Sequence, residues 1–251
     1  MASLDEVVDY TNTYLRIAEI GDWDNALNGL QIENAGRVTK IGAAVDVSSR
    51  TLAQAAKSGV DFLIVHHGLF WPGLQAIRGG LRRQLQIAFE NGIALYSAHL
   101  PLDVHPVVGN NAQLGHAMGL AGAEPFFEEK GSLVGMRGSI DASCAELAAR
   151  LGEILGTAPK LFAHGPARVQ NVGVITGGAG GEIYRVAAEK IDTFVTGEAP
   201  HWAAIAAAEL GLNLLLGGHY ATETFGVKAL ARHLSDKFAL PSELIDAPTG
   251  L

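Results

Sequence analysis

Short runs of consecutive apolar residues recur along the chain, at residues 41–47 (IGAAVDV), 62–65 (FLIV), 93–96 (IALY), 172–176 (VGVIT), 194–196 (FVT) and 212–216 (LNLLL). Ala-rich segments with helical spacing of their apolar positions separate them. An apolar run without alternation suits a strand buried on both faces, and the helical stretch that follows suits a crossover. The pattern predicts an α/β protein with mainly parallel sheets covered on both faces. Gly59, Gly92 and Gly211 stand where a helix would stop before the next strand.

The pattern also repeats. Residues 38–42 (VTKIG) match 169–173 (VQNVG) at an offset of 131, and the same offset places Ala56 on Ala187, Val60 on Ile191 and Asp61 on Asp192. After a longer loop in the first half, His99 and Asp103 match His219 and Glu223 at an offset of 120. Shared order with one change of loop length predicts two similar, duplicated α/β lobes, 1–125 and 126–251, joined near residues 124–130. The alternative is coincidence between two βαβ units with similar needs.

Chemistry concentrates where the apolar runs end. His66 and His67 close the second run, at the carboxyl edge where open parallel sheets bind ligands. Successive strand residues point to opposite sides, so the pair suits two neighbouring ions, or one ion if the backbone turns there. The third run leads into His99 and Asp103, and the last passes through Gly217 and Gly218 to His219 and Glu223. A carboxylate in a helix's first turn also complements the helix dipole, which is the plainer reading of Glu223 alone. Imidazoles with carboxylates suit zinc, iron, manganese or nickel better than calcium or magnesium. Asp103 is the candidate bridge between two ions. With one cysteine, Cys144, a thiolate zinc site is excluded.

Other residues carry weaker signals. His99 and Glu198 either orient a ligand or move a proton from outside the coordination sphere, or they complete a hydrogen-bond network. Thr222 reads as a helix cap before a substrate contact. His201 and Trp202 suit a subunit contact as readily as a pocket. The run 176–181 (TGGAGG) lacks the spacing and lysine of a phosphate loop and reads as a loop. Cys144 reads as a small buried side chain.

Composition narrows the function. At 251 residues and 48% hydrophobic the chain can bury its own core. The lone cysteine and the lack of a secretory signal pattern point to the cytoplasm, and no apolar run approaches a bilayer span. The net charge of -8 disfavours polymeric nucleic acid, and Arg78, Arg82 and Arg83 read as a solvated helix face.

Residues 65–71 (VHHGLFW), 97–103 (SAHLPLD), 109–114 (GNNAQL), 196–198 (TGE) and 218–223 (GHYATE) together resemble the Nif-three-like family, known as GTP cyclohydrolase I type 2 homologues. The resemblance spans nearly the whole chain, departing at Pro72 where the family has Lys. It implies that His66, His67, Asp103, His219 and Glu223 hold a dinuclear metal centre between the lobes, in a toroidal homohexamer. The expected function is metal-dependent hydrolysis of a small nucleotide-like or heterocyclic substrate, with two divalent transition-metal ions per subunit. The alternative is a metal chaperone, store or regulatory partner, since a ligand set shows binding and not turnover.

Overall fold

The computed structural model describes residues 1–250. The chain opens with β1 (Ala2–Ser3), α1 (Leu4–Tyr14), β2 (Gly29–Ile32), β3 (Arg37–Val38), β4 (Ile41–Asp46), α2 (Ser49–Lys57), β5 (Phe62–His67), α3 (Gly79–Glu90), β6 (Ala94–Ser97) and the one-turn α4 (Leu100–Asp103). It continues with α5 (Asn110–Met118), β7 (Ala121–Glu129), β8 (Ser132–Ser139), α6 (Cys144–Leu155), β9 (Lys160–Phe162), β10 (Val172–Val174), α7 (Ile183–Ala188), β11 (Thr193–Thr196), α8 (His201–Leu210), β12 (Asn213–Leu216), α9 (His219–Phe238) and β13 (Ser242–Leu244). All six apolar runs of the sequence contain strands, β4 to β6 and β10 to β12. No helix among the described residues is long and apolar enough to cross a membrane.

Two compact units emerge, Met1–Val108 with Gly226–Ala247, and Gly109–Phe225 with the residues from Pro248 onward. The first holds a five-stranded sheet ordered β13-β4-β5-β6-β2, parallel except for the antiparallel edge strand β2. Alternate residues of its central strands feed two cores. Ile41, Phe62, Ile64, Ala94 and Tyr96 pack with Leu4 and Val7 of α1 and with Val227, Leu230 and Leu234 of α9. Ala44, Leu63, Val65 and Leu95 pack on the other face with Leu52 and Ala55 of α2 and Ala88 of α3. Full burial of a side chain such as Phe62 stabilises by roughly 1.5–3 kcal/mol, so strands apolar on both faces hold this sheet. At α1, Ser3 and Glu6 form a reciprocal capping box.

The second unit holds a six-stranded sheet ordered β7-β8-β10-β11-β12-β9. Only β10, β11 and β12 run parallel; β7, β8 and β9 join antiparallel. The expected mainly parallel architecture therefore holds for the first unit, and the fold overall is α/β with mixed sheets. Of residues 124–130, expected as a linker, 124–129 are most of β7. That strand turns into β8 through Lys130 and Gly131, whose φ of 51° and 80° suit the two-residue turns that match strand twist. The compact units also differ from a division at 125/126. Gly109 onward packs with β8, where the Asn111 side chain donates to the Val134 carbonyl, and β13 returns to pair with β4.

Each unit contains the same small device. The Asp61 carboxylate, at the entry to β5, accepts from Thr39 N at 2.9 Å and Lys40 N at 3.0 Å, while its carbonyl accepts from Ala94 N at 2.9 Å. Asp192, at the entry to β11, accepts from Gln170 N at 3.2 Å and Asn171 N at 2.7 Å, and its carbonyl from Asn213 N at 2.9 Å. One aspartate thus ties three neighbouring strands at their starts in each unit.

Candidate metal centre

In the first unit, strands β4, β5 and β6 deliver their last residues to one carboxyl edge, and His66 and His67 end β5 there. The two rings lie 4.8 Å apart, so both side chains serve the same rim. Buried His66 donates its Nδ1 hydrogen to the Ala98 carbonyl at 2.9 Å, since a carbonyl can only accept. Its Nε2 lies 3.5 Å from Asp103 Oδ2. His67 donates through Nδ1 to Asp46 Oδ1 at 2.8 Å, and Asp46 is its register partner on β4.

His99 follows β6 and is fixed more firmly still. Its Nδ1 donates to Asp22 Oδ1 at 2.9 Å, and its backbone N donates to Asn28 Oδ1 at 2.7 Å. Asp22 also accepts from Asn28 Nδ2 at 2.8 Å and from Leu100 N at 2.9 Å. Burial alone would raise the Asp22 pKa, but His99 chiefly, with Asn28 and the Leu100 amide, holds it below the ordinary carboxylate value. One donor atom each from His66, His67 and His99 can be chosen so that all lie within 4.8 Å of one another. The turn α4, with Pro101 in its first turn, brings buried Asp103 back beside them.

In the second unit, β12 passes through Gly217 and Gly218, the latter with a φ of 93°, into α9. The helix begins at His219 itself, so Glu223 sits a full turn along, at i+4 on the same face. His219 Nε2 lies 3.1 Å from Glu223 Oε2, and its Nδ1 2.9 Å from Glu198 Oε1. Burial works to lower the His219 pKa, yet Glu223 and then Glu198 outweigh it and lift it to about 9. The loop after β10 crosses this pair closely. A Cβ on Gly177 would overlap the Glu223 carboxylate, and one on Gly197 would overlap the Gly177 carbonyl and the Thr222 hydroxyl. Only glycine lets these backbones approach His219, Thr222 and Glu223 so closely.

The donor chemistry of these residues suits a metal ion. The Nδ1 atoms of His66, His67, His99 and His219 all face a carbonyl or carboxylate oxygen, the usual support of an imidazole that binds metal through Nε2. Asp103 and Glu223, both buried, add the anionic oxygens. Two supports, Asp46 and Asp22, were missed in the sequence, although Asp46 closes an apolar run that ends at this same edge.

The weaker candidates separate. The Thr222 hydroxyl donates to the backbone of α9 and accepts from Gly177 N, so it is a local clasp. In the glycine-rich loop, Thr176 N donates to Asn111, Gly177 N to Thr222 and Gly180 N to the Glu198 carbonyl, so these amides already serve the fold. His201 and Trp202 are exposed at the start of α8, where Trp202 stacks on Tyr184. Cys144 is buried, and burial first, then Asp192, raises its thiol pKa. Arg78, Arg82 and Arg83 are exposed around the start of α3. Leu69 packs into the core, whereas Phe70 is exposed.

The model of a family described as Duf34/NIF3 (NGG1p interacting factor 3) matches residues 2–247. The chain is similar to a protein of Deinococcus radiodurans named GTP cyclohydrolase 1 type 2 homolog, 39% identical over 249 residues, which are 98% of this chain and 94% of that one. A Pyrococcus horikoshii protein of the same name is 40% identical over 250 residues, 98% of this chain and 99% of the other. Among solved structures, the crystal structure of the Thermus thermophilus protein TTHA1606 is similar over 100% of both chains, with a TM-score of 0.92 and 42% identity.

Proposed function

The chain belongs to the Duf34/NIF3 family, and from that membership we propose a metal-dependent hydrolase that holds two divalent transition-metal ions on His66, His67, Asp103, His219 and Glu223. The observation that carries the reading is the oxygen facing Nδ1 of every imidazole in the set, which orients each ring and directs its Nε2 to the site. Zinc, iron, manganese or nickel suits these donors. When bound, such ions supply Lewis acidity and charge to a hydrolytic step.

The chain's own residues supply the rest. Asp103 would be shared by the two ions, its charge offsetting both dications. Glu198 orients His219 through Nδ1. His99, held by Asp22, takes or gives a proton at Nε2, the arrangement by which a buried aspartate sets an imidazole's tautomer for acid–base work. The substrate is a small nucleotide-like or heterocyclic molecule, and the -8 charge speaks against polymeric nucleic acid. The shared aspartate device of Asp61 and Asp192 supports two duplicated lobes, each contributing part of the ligand set. A cytoplasmic homohexamer completes the reading; exposed Phe70, Trp202 and Ile205 offer apolar surface for it.

The test reloads chelator-stripped protein with zinc, iron, manganese or nickel and screens nucleotides, pterins and phosphoesters. Metal-dependent turnover that His99→Ala abolishes while keeping its ions is expected. Stoichiometric ions with no turnover on any of these would leave a metal store or chaperone instead.

A further inference from the structure

Two loops of the first unit place indole rings around His99. Trp23 lies in the loop between α1 and β2, and Trp71 in the loop between β5 and α3. The ring centroid of Trp71 is 4.5 Å from that of His99 and 5.3 Å from that of His67, and Trp23 is 5.5 Å from His99. The two indoles meet edge to face, at 6.5 Å and 76°, so neither covers the other's face. Their positions are built in. The Asn25 side chain donates to the Trp71 carbonyl, and Asp22 accepts from Trp23 N at 2.8 Å while also holding His99. The residue that fixes the imidazole therefore also holds the backbone that carries the indole beside it. Trp23 is nonetheless 40% exposed, a large apolar side chain anchored at the rim of a polar histidine cluster rather than packed into a core.

From this we infer that Trp23 and Trp71 are specificity-determining residues that hold a planar heteroaromatic ring of the substrate by stacking, beside the reacting site. The inference rests on the hydrolase reading and adds the ring-binding wall to it. Stacking on an aromatic side chain is tolerant of which ring is presented and strong enough to set affinity, since every such ring offers a π-face. An aliphatic phosphoester of equal charge offers none. Indoles built to hold a cation would instead take a quaternary ammonium, which makes that the control.

The test is titration of the full-length, zinc-loaded protein in a Trp202→Phe background, where emission comes from Trp23 and Trp71, the remaining two of three tryptophans. Guanosine and free pterin should quench saturably, and ribose 5-phosphate and tetramethylammonium should not. By calorimetry in the parent protein, Trp23→Leu and Trp71→Leu should each weaken ring binding by about tenfold or more, with zinc content unchanged. Trp23→Phe and Trp71→Phe, which keep a ring, should lose less and decide the matter if a leucine variant misfolds. Equal affinity of guanosine for parent and variants, no ring binding at all, or quenching by tetramethylammonium alone would overturn the inference. Binding is read without turnover, so ring binding by a protein that hydrolyses nothing keeps this inference and removes the hydrolase. Turnover without ring binding does the reverse.

Discussion

His219, lying between Glu198 and Glu223, shows what single residues do here. With its pKa raised from 6.5 to about 9, the folded metal-free protein binds a proton that the unfolded chain gives up earlier. A raised pKa contributes stability that is fully present below about 6.5 and is lost as pH climbs through about 9. Chelator-stripped protein should therefore lose melting temperature between those values, and His219→Gln should flatten that part of the profile. An unchanged profile in the variant would contradict the assignment. The proton also competes with metal, so affinity should rise over the same window. Asp46 acts from further out: Asp46→Ala should weaken metal binding about 10- to 100-fold through a loosened His67, as measured by competition with a chromogenic chelator. An unchanged affinity would make Asp46 a bystander. His66 and His67 were legible in the sequence because an uninterrupted apolar run ends on them. Asp46 and Asp22 were not, because a single carboxylate beside a strand or in a loop has many ordinary uses until its partner's position is known.

Among the elements, strands were legible where burial on both faces forbids polar residues, as in β5. They were not legible in β7, whose first five residues are exposed and whose turn is Lys-Gly rather than Asn-Gly. The helix α9 was legible in place, though it starts at His219, early enough to put Glu223 one turn on rather than within the first turn. The loop after β10 was legible only as a loop. Its function as a seat for Glu223 depends on a close approach that no spacing reveals. Gly177→Ala should therefore cost metal occupancy with the fold retained. Gly73→Ala is the control, having a φ of 80° against 70° and open space around its Cβ, so it carries only the backbone cost of about 1–2 kcal/mol. Equal metal content in the two variants, by elemental analysis, would mean that Gly177 does not seat the carboxylate.

For the molecule as a whole, the chain forms two compact units, the first of which takes in residues from both ends of the sequence. The tail of α9 and β13 return to the first sheet because Val227, Leu230 and Leu234 belong to its core. Light scattering should report a hexamer, and a monomer would count against that proposal. The central claim is a dinuclear centre in which Asp103 bridges and His99 stands outside, and the most direct measurement is metal stoichiometry after identical reconstitution of the native chain, Asp103→Asn and His99→Ala. Asparagine keeps the size of the bridge but loses the charge that offsets two dications, whereas His99 contributes orientation and proton transfer. Two ions per native chain, loss of ions in Asp103→Asn and retention in His99→Ala are expected. Two ions kept by Asp103→Asn, with loss in His99→Ala, would contradict the central claim and make His99 the ligand.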